Sequence, residues 1–122
     1  MPELLVSVIV PTYQESANLP LLVPRIAAAL ASRPHEVIVV DDNSNDGTDQ
    51  VVETLREQGH AVRLVVRTDQ RGLSSAVLRG FAEAIGDIFV CMDADLSHPP
   101  EALGRMIDKL EQEPIEFVIG SR

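Results

Sequence analysis

The stretch of the chain that decides the fold is an apolar run that ends in two aspartates, Ile88-Phe89-Val90-Cys91-Met92-Asp93-Ala94-Asp95. Its length and its β-branched and aromatic residues are typical of a buried strand. In an open α/β sheet, ligands bind at the carboxyl ends of the strands, because the loops that leave those ends form a crevice. We therefore expect Asp93 and Asp95 to lie at a ligand-binding edge of a sheet.

The spacing of these two aspartates indicates a site for a divalent cation. Two carboxylates one residue apart repel each other unless water screens them, one is protonated, or a cation lies between them. A set of oxygen ligands favours Mg²⁺ or Mn²⁺ over zinc. The same pattern also occurs as a solvated acidic turn, so the other motifs of the chain must decide between the two interpretations.

The composition fits a single domain. The chain has 122 residues, of which 45% are hydrophobic, and this is enough to build one core. Its formal charge of −9 argues against a nucleic-acid-binding surface, which would need a basic stripe. Cys91 is the one cysteine, and we expect a core thiol there. The sequence shows no basic, signal-type start and no apolar run long enough to span a membrane. We therefore expect a cytoplasmic location.

Four further apolar runs alternate with amphipathic, helix-type patterns. In the helix patterns apolar residues recur every three or four positions, as in Leu22, Ile26 and Leu30. Strict alternation favours right-handed crossovers and therefore a parallel, doubly wound α/β sheet of the Rossmann type, with helices on both faces. The predicted strands cover residues 4–10, 36–40, 61–66, 87–92 and 116–122, and the predicted helices cover about 18–32, 46–59, 73–83 and 100–113.

The loops after the first two predicted strands suggest a site that binds a nucleotide but not a dinucleotide cofactor. Residues 11–16 lack the Gly-x-Gly-x-x-Gly pattern that brings backbone against a pyrophosphate. Asp41 and Asp42 end the second strand, where a carboxylate is well placed to accept hydrogen bonds from a base or a ribose. Ser44 and Asp46 follow, and we assign them mainly to capping the next helix.

Two further polar residues have a structural and a functional interpretation. Arg71 precedes the third predicted helix, and a cation beside a helix N-terminus suits an anionic ligand. An exposed loop cation is an equally good interpretation of Arg71 alone. His98 precedes two prolines, and we assign it to a turn rather than to a metal site.

Five segments together resemble family 2 glycosyltransferases of the GT-A fold, and most closely their polyprenyl-phosphate (dolichyl-phosphate) mannose synthase branch. The resemblance extends over nearly the whole chain, with the segments in the family's order. It implies the nucleotide-binding half of a GT-A domain, a mostly parallel sheet with strand order 3-2-1-4-5. The segments are Val10–Glu15, Val39–Ser44, Arg71–Ala76, Met92–Pro99 and Ile119–Arg122.

The resemblance implies a role for individual residues in binding GDP-mannose. Two groups would contact the donor: one around the nucleoside, and one around the ribose, the diphosphate and a Mg²⁺ or Mn²⁺ ion. The nucleoside group is Pro11, Tyr13, Glu15, Val40 and Asp42, and the second group is Asp93, Ala94 and Asp95.

Further donor contacts implied by the resemblance come from three residues near these groups. Arg71 and Arg122 would contact the donor, Arg122 through its phosphates. Ser97 stands where relatives often have a glutamine that ligates the metal. Gln14 stands where relatives usually have asparagine, and we expect this difference to have little effect.

The implied activity is metal-dependent transfer of mannose, with inversion, to a polyprenyl or dolichyl phosphate. Residues 1–122 would form the donor-binding part and stop before the acceptor-binding part, so we expect little transfer by this chain alone. We also expect an open sheet edge near the fifth strand, through which two copies could form a homodimer. The full-length enzyme is expected at the cytoplasmic face of a membrane.

Other functions remain open from the sequence. A family 2 transferase could use a UDP-sugar, and an inactive fragment could bind nucleotide and metal without turnover. A phosphatase of the haloacid dehalogenase type also has an Asp-x-Asp pair. That class places the pair after its first strand, whereas Asp93 and Asp95 follow the fourth predicted strand here.

Overall fold

The computed structural model describes residues 4–31, 33–68, 73–92, 94, 100–103, 105, 107 and 117–120. Five strands form one parallel sheet in the order β3-β2-β1-β4-β5. The predicted α/β class and the strand order are confirmed. The elements are β1 Val6–Thr12, α1 Leu19–Ala29, β2 His35–Asp41, α2 Thr48–Glu57, β3 Val62–Val66, α3 Leu73–Glu83, β4 Ile88–Met92, a 3₁₀ helix Pro100–Ala102 and β5 Phe117–Gly120.

Two hydrophobic clusters cover the two faces of the sheet. On one face, α1 and α2 pack against alternate strand residues such as Val8 and Val10, together with Leu103 and Ile107 from the last predicted helix. On the other face, α3 packs against a smaller cluster that includes Ile9 and the buried Cys91. Alternate side chains of β1 thus point to opposite faces, as a doubly wound sheet requires.

Strand β1 continues past residue 10, where it was predicted to end, and includes Pro11. Pro11 lies inside the strand opposite Val40, and the strand ends at Thr12. The pairing of β1 with β4 extends only to Ile9, so the proline follows the part of the strand that is paired on both sides. A proline, which has no N–H to donate, is tolerated where a ladder has ended.

Helix α2 begins without the side-chain cap that the sequence suggested. Its N-cap is Gly47, with a φ of 87° and no side-chain capping bond. The assignment of Ser44 and Asp46 to capping was therefore wrong, because both side chains bond elsewhere. The last helical residue is Glu57, two residues before the predicted end at Gly59, which has a φ of 96°.

Helix α1 begins where it was predicted and ends slightly early. Asn18 is its N-cap residue, although no side-chain capping bond forms, and the helix ends at Ala29 rather than near residue 32.

No helix in the described part of the chain has both the length and the apolar composition needed to cross a membrane.

The connection between α3 and β4 is fastened to the amino end of the sheet. The amide of Gly86 donates to the hydroxyl of Ser7 at 2.9 Å, and the amide of Asp87 donates to the carbonyl of Leu5 at 2.7 Å. A Cβ on Gly86 would lie 2.3 Å from the Ser7 hydroxyl oxygen. Only glycine allows this approach, which sets the start of β4 beside β1.

Glu36 is the centre of the same amino-end network. Its Oε2 accepts from the Ser7 hydroxyl at 2.6 Å and from the amide of Ile85 at 2.9 Å. Its Oε1 lies 3.3 Å from Nη2 of Arg63, which also pairs with Glu83. These contacts join β1, β2, β3 and the end of α3.

Candidate functional site

Asp41 joins the first two loops at the carboxyl edge of the sheet. Its side chain is buried, and its Oδ1 accepts from the hydroxyls of Thr12 at 2.7 Å and Ser44 at 2.6 Å. Its Oδ2 accepts from the amide of Ser44 at 2.9 Å. The hydroxyl of Ser44 in turn accepts from the amide of Gln14 at 2.7 Å. Asp41, which the sequence left open as a ligand acceptor, is thus used to hold the two loops together.

Asp46 makes a second connection between these loops. Its Oδ2 accepts from the amide of Ser16 at 3.2 Å, and its Oδ1 accepts from the hydroxyl of Thr48 at 2.5 Å. The hydrogen bond from the Thr48 hydroxyl is the main cause that lowers the pKa of the Asp46 carboxyl. Burial raises this pKa, and the hydrogen bonds with Ser16 lower it further. The ionised carboxylate is therefore part of the folded loop.

The backbone of these loops includes three non-glycine residues in the left-handed region. Gln14, Asn43 and Asn45 have φ values of 55°, 56° and 55°. Asparagine accepts this conformation more readily than most residues do, whereas for glutamine it is unfavourable. This chain has Gln14 where relatives usually have asparagine, and we expected this difference to have little effect. The residue lies at a position where the backbone conformation favours asparagine.

Asp42 forms a buried ion pair with Arg67, which was not among the predicted site residues. Nε of Arg67 donates to Oδ1 of Asp42 at 2.7 Å, and Nη2 lies 2.6 Å from the same oxygen. Nη1 of Arg67 donates to the hydroxyl of Ser75 in α3 at 2.7 Å. The guanidinium is thus held between the ends of β2 and β3 and the start of α3.

A signal for Arg67 was present in the strand register. The parallel pairing of Asp41 with Val66 brings the next residues, Asp42 and Arg67, side by side. The strand order implied by the resemblance put β3 at the edge beside β2 but did not give its register, so it did not predict a partner for Arg67.

The other predicted nucleoside residues lie at the same edge with different exposures. Tyr13 is 45% exposed, and Pro11 and Glu15 are half-buried in the loop after β1. Val40 is fully buried in the cluster beneath α3. Any contact between Val40 and a ligand must therefore come from its backbone.

The residues predicted for the diphosphate and the metal are only partly within the described structure. Ala94 is buried against the main cluster, two residues after the end of β4. Arg71, Asp93, Asp95, Ser97 and Arg122 lie outside the described residues.

The chemistry of the donor set still fits a hard divalent cation. Asp93 and Asp95 are oxygen donors on either side of Ala94 in the sequence, and oxygen donors suit Mg²⁺ or Mn²⁺. Among the residues that the structure describes, no group of three or more His, Cys, Asp or Glu residues could hold a metal ion. The metal site at Asp93 and Asp95 stays a prediction from the sequence.

The parallel sheet with helices on both faces is the Rossmann-like α/β arrangement found in GT-A glycosyltransferases. The chain belongs to glycosyl transferase family 2, whose model matches residues 7–122. Among curated relatives, the dolichol-phosphate mannosyltransferase of Mycosarcoma maydis is 49% identical over 122 residues, which is 95% of this chain and 41% of that protein. The chain thus spans less than half the length of this relative.

Two solved structures show the same fold. A mannosyltransferase from Pyrobaculum calidifontis, in complex with GDP-Man and Mn²⁺, has a TM-score of 0.77 and 33% identity, over 90% of this chain and 33% of that one. The S. aureus protein TarS 1-349, in complex with UDP-GlcNAc, has a TM-score of 0.72 and 27% identity, over 89% of this chain and 32% of that one. The fold is thus found with both GDP- and UDP-linked sugars.

Proposed function

We propose that this chain is the donor-binding part of a polyprenyl-phosphate mannosyltransferase, and that it binds GDP-mannose with a divalent cation. The observation that carries the proposal is the buried Asp42–Arg67 pair at the carboxyl edge of the sheet, beside the loop of Tyr13 and Glu15. The 49% identity to a dolichol-phosphate mannosyltransferase supports the sugar and the lipid class.

In this proposal, Asp42 accepts hydrogen bonds from the N–H groups of the guanine base. A carboxylate at the end of a parallel strand is well placed for such a contact, and hydrogen bonds to charged groups are stronger than neutral ones. The ring of Tyr13, which is 45% exposed, would pack against the nucleoside. Asp41 would keep the two loops in register through its bonds to Thr12 and Ser44.

The diphosphate would be held beyond the end of β4. Asp93 and Asp95 would ligate Mg²⁺ or Mn²⁺, with Ser97 as a further candidate ligand, and Arg71 and Arg122 would contact the donor. The metal, when bound, would neutralise charge that develops on the leaving nucleoside diphosphate.

Transfer itself would be a direct displacement. An oxygen of the acceptor phosphate forms a bond to the anomeric carbon of mannose, the bond from that carbon to the diphosphate oxygen breaks, and GDP leaves with the electron pair. Attack from the opposite face inverts the anomeric centre. The acceptor phosphate is already anionic, so no general base is required. The acceptor-binding residues would belong to the part of the relatives that this chain does not cover.

A UDP-sugar donor is the second candidate. The structural similarity to the S. aureus protein in complex with UDP-GlcNAc favours it, because the same loops would meet a different base. The haloacid dehalogenase type of phosphatase has no comparable support, since the family 2 model matches residues 7–122.

Calorimetric titration of the chain with GDP, UDP, GDP-mannose and UDP-N-acetylglucosamine in the presence of Mn²⁺ tests the proposal. We expect GDP and GDP-mannose to bind more tightly than their UDP counterparts. Binding of the UDP ligands alone would support the second candidate, and binding of none of the four would overturn both. The matched control for Asp42→Asn, the variant that removes the proposed base contact, is Glu57→Gln, because Glu57 is an exposed carboxylate at the last residue of α2.

A further inference from the structure

The role of Arg67 is the question that the proposed function leaves open. Its side chain is 2% exposed, and that of its partner Asp42 is 12% exposed. Burying two charges costs desolvation free energy, and apolar residues of similar size often stabilise a fold as well or better. Fold stability alone is therefore a weak reason for this pair at the edge of the sheet.

The geometry of Arg67 holds one oxygen of the Asp42 carboxylate in place. Two nitrogens of the guanidinium contact one oxygen, Nε at 2.7 Å and Nη2 at 2.6 Å. A guanidinium is planar and rigid, so two contacts from it fix the position of Oδ1 more closely than a single ammonium contact would.

Arg67 is itself held by groups from two other elements. Its Nη1 donates to the Ser75 hydroxyl in α3 at 2.7 Å, and its backbone amide donates to the carbonyl of Asp41 at 2.8 Å. Because Ser75 lies near the start of α3, Arg67 also links the Asp42 carboxylate to that helix. The position of Asp42 thus depends on residues distant in the sequence.

We propose that Arg67 is a positioning residue for the donor: it orients the Asp42 carboxylate toward the base, and Ser75 holds Arg67 in place for this task. The inference rests on the proposed function, because it assumes that Asp42 binds the nucleoside. Arg67 acts through Asp42, so it contributes to affinity for the base and not to affinity for the diphosphate.

The difference between affinity for the base and affinity for the diphosphate can be measured, and a purely structural role of Arg67 would not produce it. In Arg67→Met, we expect a loss of about ten- to a hundredfold in affinity for GDP, and unchanged affinity for inorganic diphosphate with Mn²⁺. Arg67→Lys keeps the charge but loses the planar fork, so we expect partial recovery. Ser75→Ala should weaken GDP binding about two- to threefold. The matched control is Arg56→Met, because Arg56 is exposed on α2.

A double-mutant cycle separates positioning from an independent contact. If Arg67 acts through Asp42, Arg67→Met combined with Asp42→Asn should bind GDP no more weakly than the weaker single variant. Additive losses, or equal losses for GDP and inorganic diphosphate, would overturn the inference. Should Arg67→Met fail to fold, the lysine variant and Ser75→Ala carry the same comparison.

The outcome for the proposed function can be distinguished from the outcome for Arg67. The titrations are run with GDP, UDP and inorganic diphosphate, and both bases carry N–H donors. A wild-type chain that binds neither nucleotide overturns the proposed function and the inference together. Nucleotide binding that is unaltered in Arg67→Met, Arg67→Lys and Ser75→Ala overturns the inference alone.

Discussion

The two ends of the sheet each carry a carboxylate–arginine network, and the two networks differ in what they hold. At the amino end, Glu36 and Arg63 are 3.3 Å apart with side-chain exposures of 13% and 37%. At the carboxyl end, Asp42 and Arg67 are 2.6 Å apart with exposures of 12% and 2%. The carboxyl-end pair is closer and its arginine is far more buried.

The partners of the two carboxylates explain the difference. Glu36 accepts from the Ser7 hydroxyl and the Ile85 amide, so its network ties the chain to itself. Asp42 is held by Arg67 at the edge where parallel sheets bind ligands. Changes at the amino end should therefore lower stability without altering ligand affinity, whereas changes at the carboxyl end should alter affinity.

The largest expected effect is at Gly86. Gly86→Ala should destabilise the fold by about 3 kcal/mol, because the new Cβ overlaps the Ser7 hydroxyl and main-chain atoms of Leu5 and Ser7. Urea denaturation measures the loss. Gly59→Ala is the control: its Cβ would meet nothing within 4 Å, and only its φ of 96° opposes the change, at a cost of about 1 kcal/mol. Equal losses for the two variants would refute the close-packing explanation.

The next effect compares the same chemical change at both ends. Glu36→Gln should lower the free energy of unfolding by about 1–2 kcal/mol and leave GDP affinity unchanged. Asp42→Asn should lower GDP affinity by about 1–2 kcal/mol, roughly tenfold, through loss of a charged acceptor. Calorimetry and urea denaturation on both variants give the comparison. A weakened GDP affinity in Glu36→Gln would show that the two ends are not separate.

A smaller effect depends on pH and involves the loop contact of Asp46. Its pKa is lowered in the folded chain, so it contributes stability above the ordinary aspartate pKa of about 3.9, and this contribution is lost as pH falls through the lower folded pKa. Thr48→Val removes the main cause of the shift, so the variant should lose less stability than wild type between pH 6 and pH 3. Urea denaturation across that range is the measurement, and identical pH profiles would contradict the assignment.

The smallest effect is expected at Gln14. Gln14→Asn should stabilise the chain by about 0.5 kcal/mol, because asparagine tolerates the φ of 55° better than glutamine does. The control is Gln50→Asn in α2, where the same change should be slightly destabilising because glutamine is the better helix former. Thermal melting of both variants is sufficient. A destabilised Gln14→Asn would show that the glutamine side chain itself contributes to the loop.

The sequence was sufficient to predict the sheet but not the side-chain contacts at its carboxyl edge. The apolar runs predicted all five strands, and the bounds of α3 agree with the prediction. Asp41 and Asp42 are adjacent residues of one type, so no pattern could separate the one that joins the loops from the one that pairs with Arg67. That distinction depends on the register of β2 with β3, which pairs residues 25 positions apart.

The same limit explains the error at α2. Ser44 and Asp46 have the side chains that usually cap a helix, but they accept hydrogen bonds from the amides of Gln14 and Ser16 in the other loop instead. Local sequence cannot show such hydrogen bonds, because Ser16 lies 30 residues from Asp46 in the chain.

The most direct test of the central claim is the metal dependence of GDP binding. We expect calorimetry to show GDP binding with Mn²⁺ and a large loss of affinity in excess EDTA. We also expect Asp95→Ala to remove the difference between the two conditions, because Asp95 would supply a charged oxygen ligand to the metal. Asp42→Asn should retain the metal response at a lower affinity. GDP binding that is equally tight with EDTA, or a metal response unaltered in Asp95→Ala, would contradict a metal-assisted donor site at the carboxyl edge of this sheet.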